Sequence, residues 1–306
     1  MTFFGNCRKY GISLWQCPSF LFFLMGIFII FISLSIYFIG TKFVQTPEII
    51  ALIVLLTALV LLIISFFITN SFERLAEANR LKSEFISVAS HQLRTPISNF
   101  KWTLELLFSG KLGKFSPKQL EYLRILKDNS ERMIETLKDL LIVTKLETAS
   151  LPFKREYFSL DELTKEVIEQ FKNLALAYNV EIETNFQKNL PKIFSSREQI
   201  KLVIENLLEN AILYTKRKGK VLIKIETKDK MVYFEIRDNG IGIPKEDQKF
   251  IFQKFFRASN VLKYQTRGTG LGLFISKKII QRSGGKIGFQ SEENKGSKFW
   301  FSIPIK

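Results

Sequence analysis

The sequence predicts an α+β chain in three parts: a two-helix hairpin across a membrane, a helical-hairpin domain that pairs with a second copy, and a mixed α/β domain. Three observations carry this. Residues 19–40 and 49–70 are two runs of 22 residues without a charge, and a helix needs about 20 apolar residues to cross a bilayer. From Ser71 the apolar residues step by three and four, the period of an amphipathic helix. After Ser159 helical stretches alternate with strand-like ones, with too few strand–helix–strand repeats for a doubly wound sheet.

The spans come first. A cleaved signal peptide has an apolar core of only ~7–15 residues and a small-residue cleavage site, and neither pattern is present. Arg8 and Lys9 precede the first span, Arg74, Arg80 and Lys82 follow the second, and the loop 41–48 carries only Lys42 and Glu48. The positive-inside bias puts residues 1–18 and everything after residue 70 in the cytoplasm. Eight external residues, 41–48, leave no room for a ligand-binding domain between the spans.

Charge is uneven as well. The chain of 306 residues has 45 Lys plus Arg against 29 Asp plus Glu, a net +16. Arg8, Lys9 and Lys42 against Glu48 leave +2 before Ser71, so +14 of it follows. Such a surface suits an acidic partner, a polyphosphate or an anionic membrane face, or is simply a solvated basic surface. Cys7 and Cys17, the two cysteines, have no metal-ligand spacing. They exclude a disulfide framework and fit a reducing compartment.

In the helical domain, 71–150, Phe85, Ala89, Leu93, Ile97, Phe100, Leu104 and Leu107 form one apolar stripe. Gly110 and Gly113 break the helix, and Ser116-Pro117 restarts it, with Ser as N-cap and Pro at the first position. Leu120, Leu123, Ser130, Ile134, Leu137, Leu141 and Thr144 make the second stripe. One hairpin cannot cover its own apolar face, and a dimeric four-helix bundle is the economical solution. Residues 151–158, with Pro152, read as a linker. In the domain 159–306, helices are expected over 159–173, 196–214 and 270–283, and strands over 180–185, 221–227, 231–237, 286–291 and 298–303.

His91 is the only histidine. It lies two residues from both Ala89 and Leu93, so at ~100° per residue it points about 200° from the stripe. An exposed histidine with an ordinary pKa of about 6.5 can accept or donate a group near neutral pH. It has no second histidine or nearby cysteine for a metal site. Pro96 removes one helical N–H, and its ring meets the carbonyl of Gln92, so the helix should bend or loosen there.

The segment Ser90-His91-Gln92-Leu93-Arg94-Thr95-Pro96 resembles the phosphoacceptor box of bacterial sensor histidine kinases. The resemblance implies that His91 is phosphorylated from ATP and that Thr95 orients a water for dephosphorylating the partner. Gln92 stands where an acidic residue is common.

Three further motifs follow in order. Asn206-Leu-Leu-Glu-Asn210 puts two carboxamides at i and i+4 on one helix face, and a carboxamide oxygen suits Mg²⁺. Asp238-Asn-Gly-Ile-Gly242 follows a strand pattern and on its own reads as a hairpin turn. Gly268-Thr-Gly-Leu-Gly272 precedes a helix, where bare N–H groups attract anions. Together they resemble the N, G1 and G2 boxes of the ATP-binding domain shared by histidine kinases, type II topoisomerases and mismatch-repair ATPases, with Ile251 to Arg257 resembling the kinase F box. That domain is an α/β sandwich. The resemblance implies Asn210 and Asn206 as Mg²⁺ and phosphate ligands, Asp238 on the adenine amino group, and Gly240 and Gly242 beside the base. It implies Arg257 at the γ-phosphate, Gly268, Thr269, Gly270, Leu271 and Gly272 around the phosphates, and Tyr214 against the nucleotide. Residues 258–267, with Lys263 and Arg267, would be a lid. Leu213 replaces a frequent basic residue, for which Lys216 or Arg217 could substitute. Ser196 and Ser283 replace a frequent Asp and His.

The resemblance covers residues 81–306. It implies an ATP:protein-histidine phosphotransferase in the inner membrane, multi-pass, with ATP and Mg²⁺ as cofactors. Its partners would be a second copy, membrane lipid and a response-regulator receiver domain, with no nucleic acid. Gln92 and Leu213 keep open a membrane-tethered ATP-binding scaffold with little autokinase activity. A repair-type ATPase is disfavoured by the spans and by His91.

Overall fold

The computed structural model describes residues 18–43, 45–111, 113, 115–148, 151–215, 218–264 and 268–305. Cys7, Cys17, Arg8, Lys9, Lys216, Arg217 and Arg267 lie outside the described residues. The chain divides into two compact units, Met1–Ala89 with Glu147–Ser150, and Ser90–Leu146 with Leu151–Lys306.

The first unit holds helix α1, Pro18–Phe43, and the first part of α2, Pro47–Phe108. Two segments are long and apolar enough to cross a membrane: Phe20–Phe43, of mean hydropathy 2.6, and Pro47–Leu75, of mean hydropathy 3.3. Most of their large side chains, Phe31 and Leu55 among them, face outward. The helices extend further than the charge-free runs, so they are separated by residues 44–46 rather than 41–48. Thr41 continues α1 by donating its hydroxyl to the Phe38 carbonyl at 2.8 Å. Lys42 lies over the Phe38 ring. Pro47, with no N–H to leave unsatisfied, fits the first position of α2.

Helix α2 is unbroken through Pro96, so the expected loosening leaves no interruption in the element. Gly110 and Gly113 adopt positive φ and end it. Helix α3, Pro117–Glu147, starts from a reciprocal cap. The Gln119 N–H donates to Ser116 Oγ at 3.3 Å, and the Ser116 N–H donates to Gln119 Oε1 at 2.8 Å. In the single chain Leu93, Phe100, Leu126 and Met133 are exposed, Met133 by 55%. The end of α3 has another use. Val143 is 3% exposed within the core of the α/β domain, and Ile142 and Leu146 pack against that core.

The α/β domain contains β1 (Glu156–Phe158), α4 (Leu160–Tyr178), β2 (Val180–Phe186), β3 (Ile193–Ser195), α5 (Arg197–Tyr214), β4 (Gly219–Lys228) and β5 (Met231–Asp238). A 3-10 turn at Gln248–Phe250, α6 (Ser259–Tyr264), α7 (Gly272–Arg282), β6 (Lys286–Glu292) and β7 (Gly296–Pro304) follow. Five strands form one sheet in the order β2-β4-β5-β7-β6, with β2 parallel to β4 and the other pairs antiparallel. Strand alternation puts Val221, Ile223, Ile225, Val232, Phe234, Ile236, Phe299, Phe301 and Ile303 on one buried face. Helices α4, α5 and α7 pack onto the sheet and one another, giving an α/β sandwich. The other face carries ion pairs such as Lys298–Glu235 and the Tyr233–Trp300 stack.

Two features depart from the sequence reading. Residues 156–158, read as linker, form β1, which pairs antiparallel with β3. Helix α4 runs on from Asn173 to Tyr178 and stops where Asn179 takes a left-handed conformation, φ 56°. The entry to the domain is tied down as well. Arg282 donates to the Leu151 carbonyl at 2.8 Å, and Gln199 Nε2 donates to the Pro152 carbonyl at 2.7 Å.

Candidate active site

Within the second unit a cleft with about 1010 Å³ of empty space, counted to its open mouth, lies beside α5 and α7. Helix α5 buries Ile200, Val203, Ile204, Leu207, Leu208 and Ile212 against the sheet. That fixes the adjoining flank, with Asn206, Asn210 and Tyr214, along the cleft. The end of β5 supplies Asp238, the following loop supplies Gly242 and Arg257, and the segment before α7 supplies Gly268, Thr269, Gly270 and Gly272.

Asp238 is the best-defined group. It is 7% exposed. Its Oδ1 accepts the Gly240 N–H at 2.8 Å and the Ser297 N–H at 3.1 Å. Burial pushes its carboxyl up to about 6, against the pull of these N–H groups. Both bonds end on Oδ1, so a purine amino group could donate to Oδ2. Ser297 escaped the sequence reading, because its role here is played by its backbone N–H. Its hydroxyl pairs with that of Ser291 at 2.8 Å. The one available signal was Gly296-Ser297 at the start of the last strand.

The two asparagines part company. Asn206 Nδ2 donates to the Gly272 carbonyl at 3.2 Å and to Ser276 Oγ at 3.4 Å, so it ties α5 to α7. Asn210 lies one turn on, at the cleft. Among the described residues no group of three or more His, Cys, Asp or Glu side chains could hold a metal ion. A Mg²⁺ that keeps most of its waters needs only one or two protein oxygens plus phosphates, and the Asn210 carboxamide fits that need. Tyr214 and Arg257 are hydrogen-bonded to each other; burial raises the phenol's pKa, and the guanidinium opposes the rise.

The glycines serve packing at close quarters. Gly242 has φ 64°, and a Cβ there would lie 2.0 Å from the Glu292 carbonyl oxygen. Gly270 has φ 69°, and its Cβ would lie 2.7 Å from the Phe255 backbone. Leu271 is fully buried in the core, so only its backbone belongs to the loop. Its N–H donates to Thr269 Oγ1 at 3.2 Å. The Thr269 hydroxyl in turn donates to Asp139 Oδ2 of α3 at 2.7 Å. The first half of the expected lid is helix α6, seated by Val261 in the core and by Asp247, which accepts from the Ser259 N–H at 2.7 Å.

His91 belongs to α2, and its side chain lies outside the described residues. Gln92 and Thr95 are exposed on α2 and do not line the cleft. The cleft therefore collects Asn206, Asn210, Tyr214, Asp238, Arg257 and the Gly268–Gly272 segment, but not Gln92 or Thr95.

Comparison with known proteins agrees with this division. Residues 81–149 match the family described as His Kinase A (phospho-acceptor) domain. Residues 195–306 match the family described as histidine kinase-, DNA gyrase B-, and HSP90-like ATPase. Sensor protein GacS of Pseudomonas syringae pv. syringae is 31% identical over 235 residues, covering 75% of this chain and 26% of that protein. Sensor histidine kinase WalK of Bacillus subtilis (strain 168) is 31% identical over 233 residues, 74% of this chain and 37% of that protein. The chain thus spans about a quarter to just over a third of the length of these relatives. The crystal structure of full-length ShkA in complex with AMPPNP is similar with TM-score 0.61 at 26% identity, over 72% of this chain and 46% of that one. The crystal structure of histidine kinase ThkA in complex with response regulator protein TrrA is similar with TM-score 0.51 at 25% identity, over 74% of this chain and 64% of that one. With a phospho-acceptor domain followed by an ATPase domain, and with relatives of this kind over three quarters of its length, the chain belongs to the sensor histidine kinases.

Proposed function

We propose that this chain autophosphorylates His91 from ATP and passes the phosphoryl group to an aspartate of a response-regulator receiver domain. The observation that carries this reading is the meeting of Asp238, Asn210, Tyr214, Arg257 and the Gly268–Gly272 segment in one cleft, in a compact unit that includes the helix of His91. Asp238 takes the adenine amino group. Arg257 and the loop N–H groups stabilise phosphate charge. The Asn210 carboxamide would hold Mg²⁺, which would supply neutralisation of phosphate charge.

In the transfer, Nε2 of His91 attacks the γ-phosphorus. The N–P bond forms as the bond to the bridging oxygen breaks, and ADP leaves. The Gln92 carbonyl accepts from Nδ1–H and holds the attacking tautomer. Phosphoryl transfer depends mainly on positioning and charge. Gln92 does not line the cleft of its own chain, so transfer within one chain requires the ATP domain and the His91 helix to move relative to each other, whereas transfer between subunits uses the histidine of the second copy. Thr95 serves the opposing activity, orienting a water that hydrolyses the aspartyl phosphate of the partner, with release of inorganic phosphate. Exposed apolar side chains of α2 and α3, Leu93 and Met133 among them, support a homodimer. The two apolar helices support anchoring in the inner membrane with both termini cytoplasmic. The solved complex of ThkA with TrrA supports a receiver-type partner.

Incubation with γ-labelled ATP tests the reading. Acid-labile, alkali-stable label on the parent and none on His91→Ala is expected. Unlabelled protein that still binds ATP would favour the scaffold, a reading supported by uncharged Gln92 and by Leu213. Free phosphate from unlabelled protein would favour a plain ATPase.

A further inference from the structure

Four acids, Glu135, Asp139, Glu209 and Asp238, line the cleft together with Arg257. Two of these acids do not belong to the ATP domain. Glu135 and Asp139 sit at i and i+4 on α3, and the same helix face continues through Ile142, Val143 and Leu146 into the domain's core. Helix α3 is thus seated on the ATP domain by its apolar end, and it presents two carboxylates to the cleft one and two turns earlier. Asp139 reaches furthest, accepting from Thr269 in the segment assigned to the phosphates. Through Thr269 it also fixes the N–H of Leu271, at the start of α7. Burial raises its pKa, opposed by the Thr269 bond and by Lys138.

Each phosphate added to a nucleotide brings about one more negative charge, and like charges a few ångströms apart in a half-buried cleft repel strongly. Resting on the nucleotide reading above, we propose that Glu135 and Asp139 determine which nucleotide the seated arrangement accepts, favouring a nucleoside diphosphate over a triphosphate. Binding of ATP then favours the arrangement in which α3 has left the cleft. By linkage, seating of α3 weakens ATP relative to ADP by the same factor by which ATP, relative to ADP, weakens seating. The acids on α3 would thereby act as a product-selective wall: the domain is released with ATP and reseated with ADP.

The test uses the full chain in nanodiscs. Affinities for ADP and for a non-hydrolysable imido analogue of ATP are measured by calorimetry, with Mg²⁺ and with chelator, for the parent, Glu135→Gln, Asp139→Asn and the double variant. Both substitutions keep size, and Asn keeps an acceptor for Thr269, so seating and folding are preserved. The double variant should raise the ratio of analogue affinity to ADP affinity by about tenfold at low salt, with each single variant in between. The difference from the parent should shrink at about 0.5 M salt, where screening is strong. Amide exchange gives a second readout: in the parent the analogue should lower protection over 139–146 relative to ADP, and in the double variant it should not. An unchanged ratio overturns the proposal. So does a falling ratio with Mg²⁺, which would mean that the acids recruit the metal. If the parent binds neither nucleotide, the nucleotide reading itself fails.

Discussion

Asp238 at the end of β5 and Ser297 at the start of β7 are joined across the sheet, the Ser297 N–H donating to the Asp238 carboxylate at 3.1 Å. The bond holds a carboxylate in place inside a wall that burial makes unfavourable for charge. Four expectations can be measured, and this carboxylate carries the first.

The first is a pH dependence with opposite signs for folding and for binding. In the fold, the Asp238 carboxyl is raised from 3.8 to about 6. The charged form is therefore disfavoured in the folded state, and this group's contribution to stability falls as pH rises from 3.8 towards 6. Above that window the cost is roughly 3 kcal/mol at most. Asp238→Asn removes it, so the nucleotide-free variant should melt at a higher temperature than the parent at pH 7.5. ATP binding should run the other way. It needs the carboxylate, so parent affinity should decline as pH drops through about 6, and the Asn variant should bind weakly at every pH. Calorimetric melts and ATP titrations at pH 5 and 7.5 check both arms. A variant that melts lower while binding ATP normally contradicts the assignment.

Asn206 and Asn210 should separate in their effects. Asn210→Ala should weaken ATP binding in Mg²⁺ and leave the melting temperature of the nucleotide-free protein near that of the parent. Asn206→Ala loses the bonds to Gly272 and Ser276 and should cost about 1 kcal/mol of stability. Its ATP binding should weaken through displacement of α7. Thermal melts beside ATP titrations decide this, and identical profiles for the two variants would count against the division of labour.

Gln92→Glu should speed labelling of His91 about tenfold, or ~1.4 kcal/mol of barrier. A carboxylate next to the histidine can accept the Nδ1–H and stabilise the imidazolium as the N–P bond forms. The gain is below the ~10²–10⁴-fold typical of general-base help, because imidazole near pH 7 is already mostly neutral. ATP affinity should hardly change, since Gln92 does not line the cleft. Initial rates at saturating ATP, with His91→Ala as the blank, measure this. Equal rates would mean that the uncharged amide suffices.

Topology gives a fourth expectation. A reporter fused after Lys306 should be active only in its cytoplasmic form, and one inserted at 44–46 only in its external form. The reverse pattern would strand His91 on the side without ATP.

What the sequence disclosed follows from how strongly each feature is written in side chains. The two apolar helices, the Ser116 cap and strands β4 to β7 rest on long runs or on a specific residue pair, and each of these elements is present in the structure. Strands β1 and β3 have three residues each, too short for alternation to register. The part of Ser297 in holding Asp238 is a backbone donation, which leaves no side-chain signature. Paired Asn206 and Asn210 look alike as a motif, yet only packing against α7 turns the first into a brace. Glu135 and Asp139 belong to no motif in the sequence, and the place of Asp139 shows only where it accepts from Thr269.

The anchored entry to the ATP domain has a kinetic meaning. Leu151 and Pro152 are already fastened by Arg282 and Gln199, while α3 ends at Glu147. Only three positions, 148–150, separate them, and the Leu151 N–H donates to the Lys145 carbonyl at 3.1 Å, so the tether spans no more than ~14 Å. A catalytic domain on so short a leash meets the histidines of its own dimer at a local concentration on the order of millimolar. Phosphorylation of His91 should accordingly proceed at a rate per dimer that does not change on dilution. Flexible residues spliced in at 149–150 should dilute the domain around its target roughly as the −3/2 power of leash length once the span is exceeded, turning tether length into a dial for signalling strength.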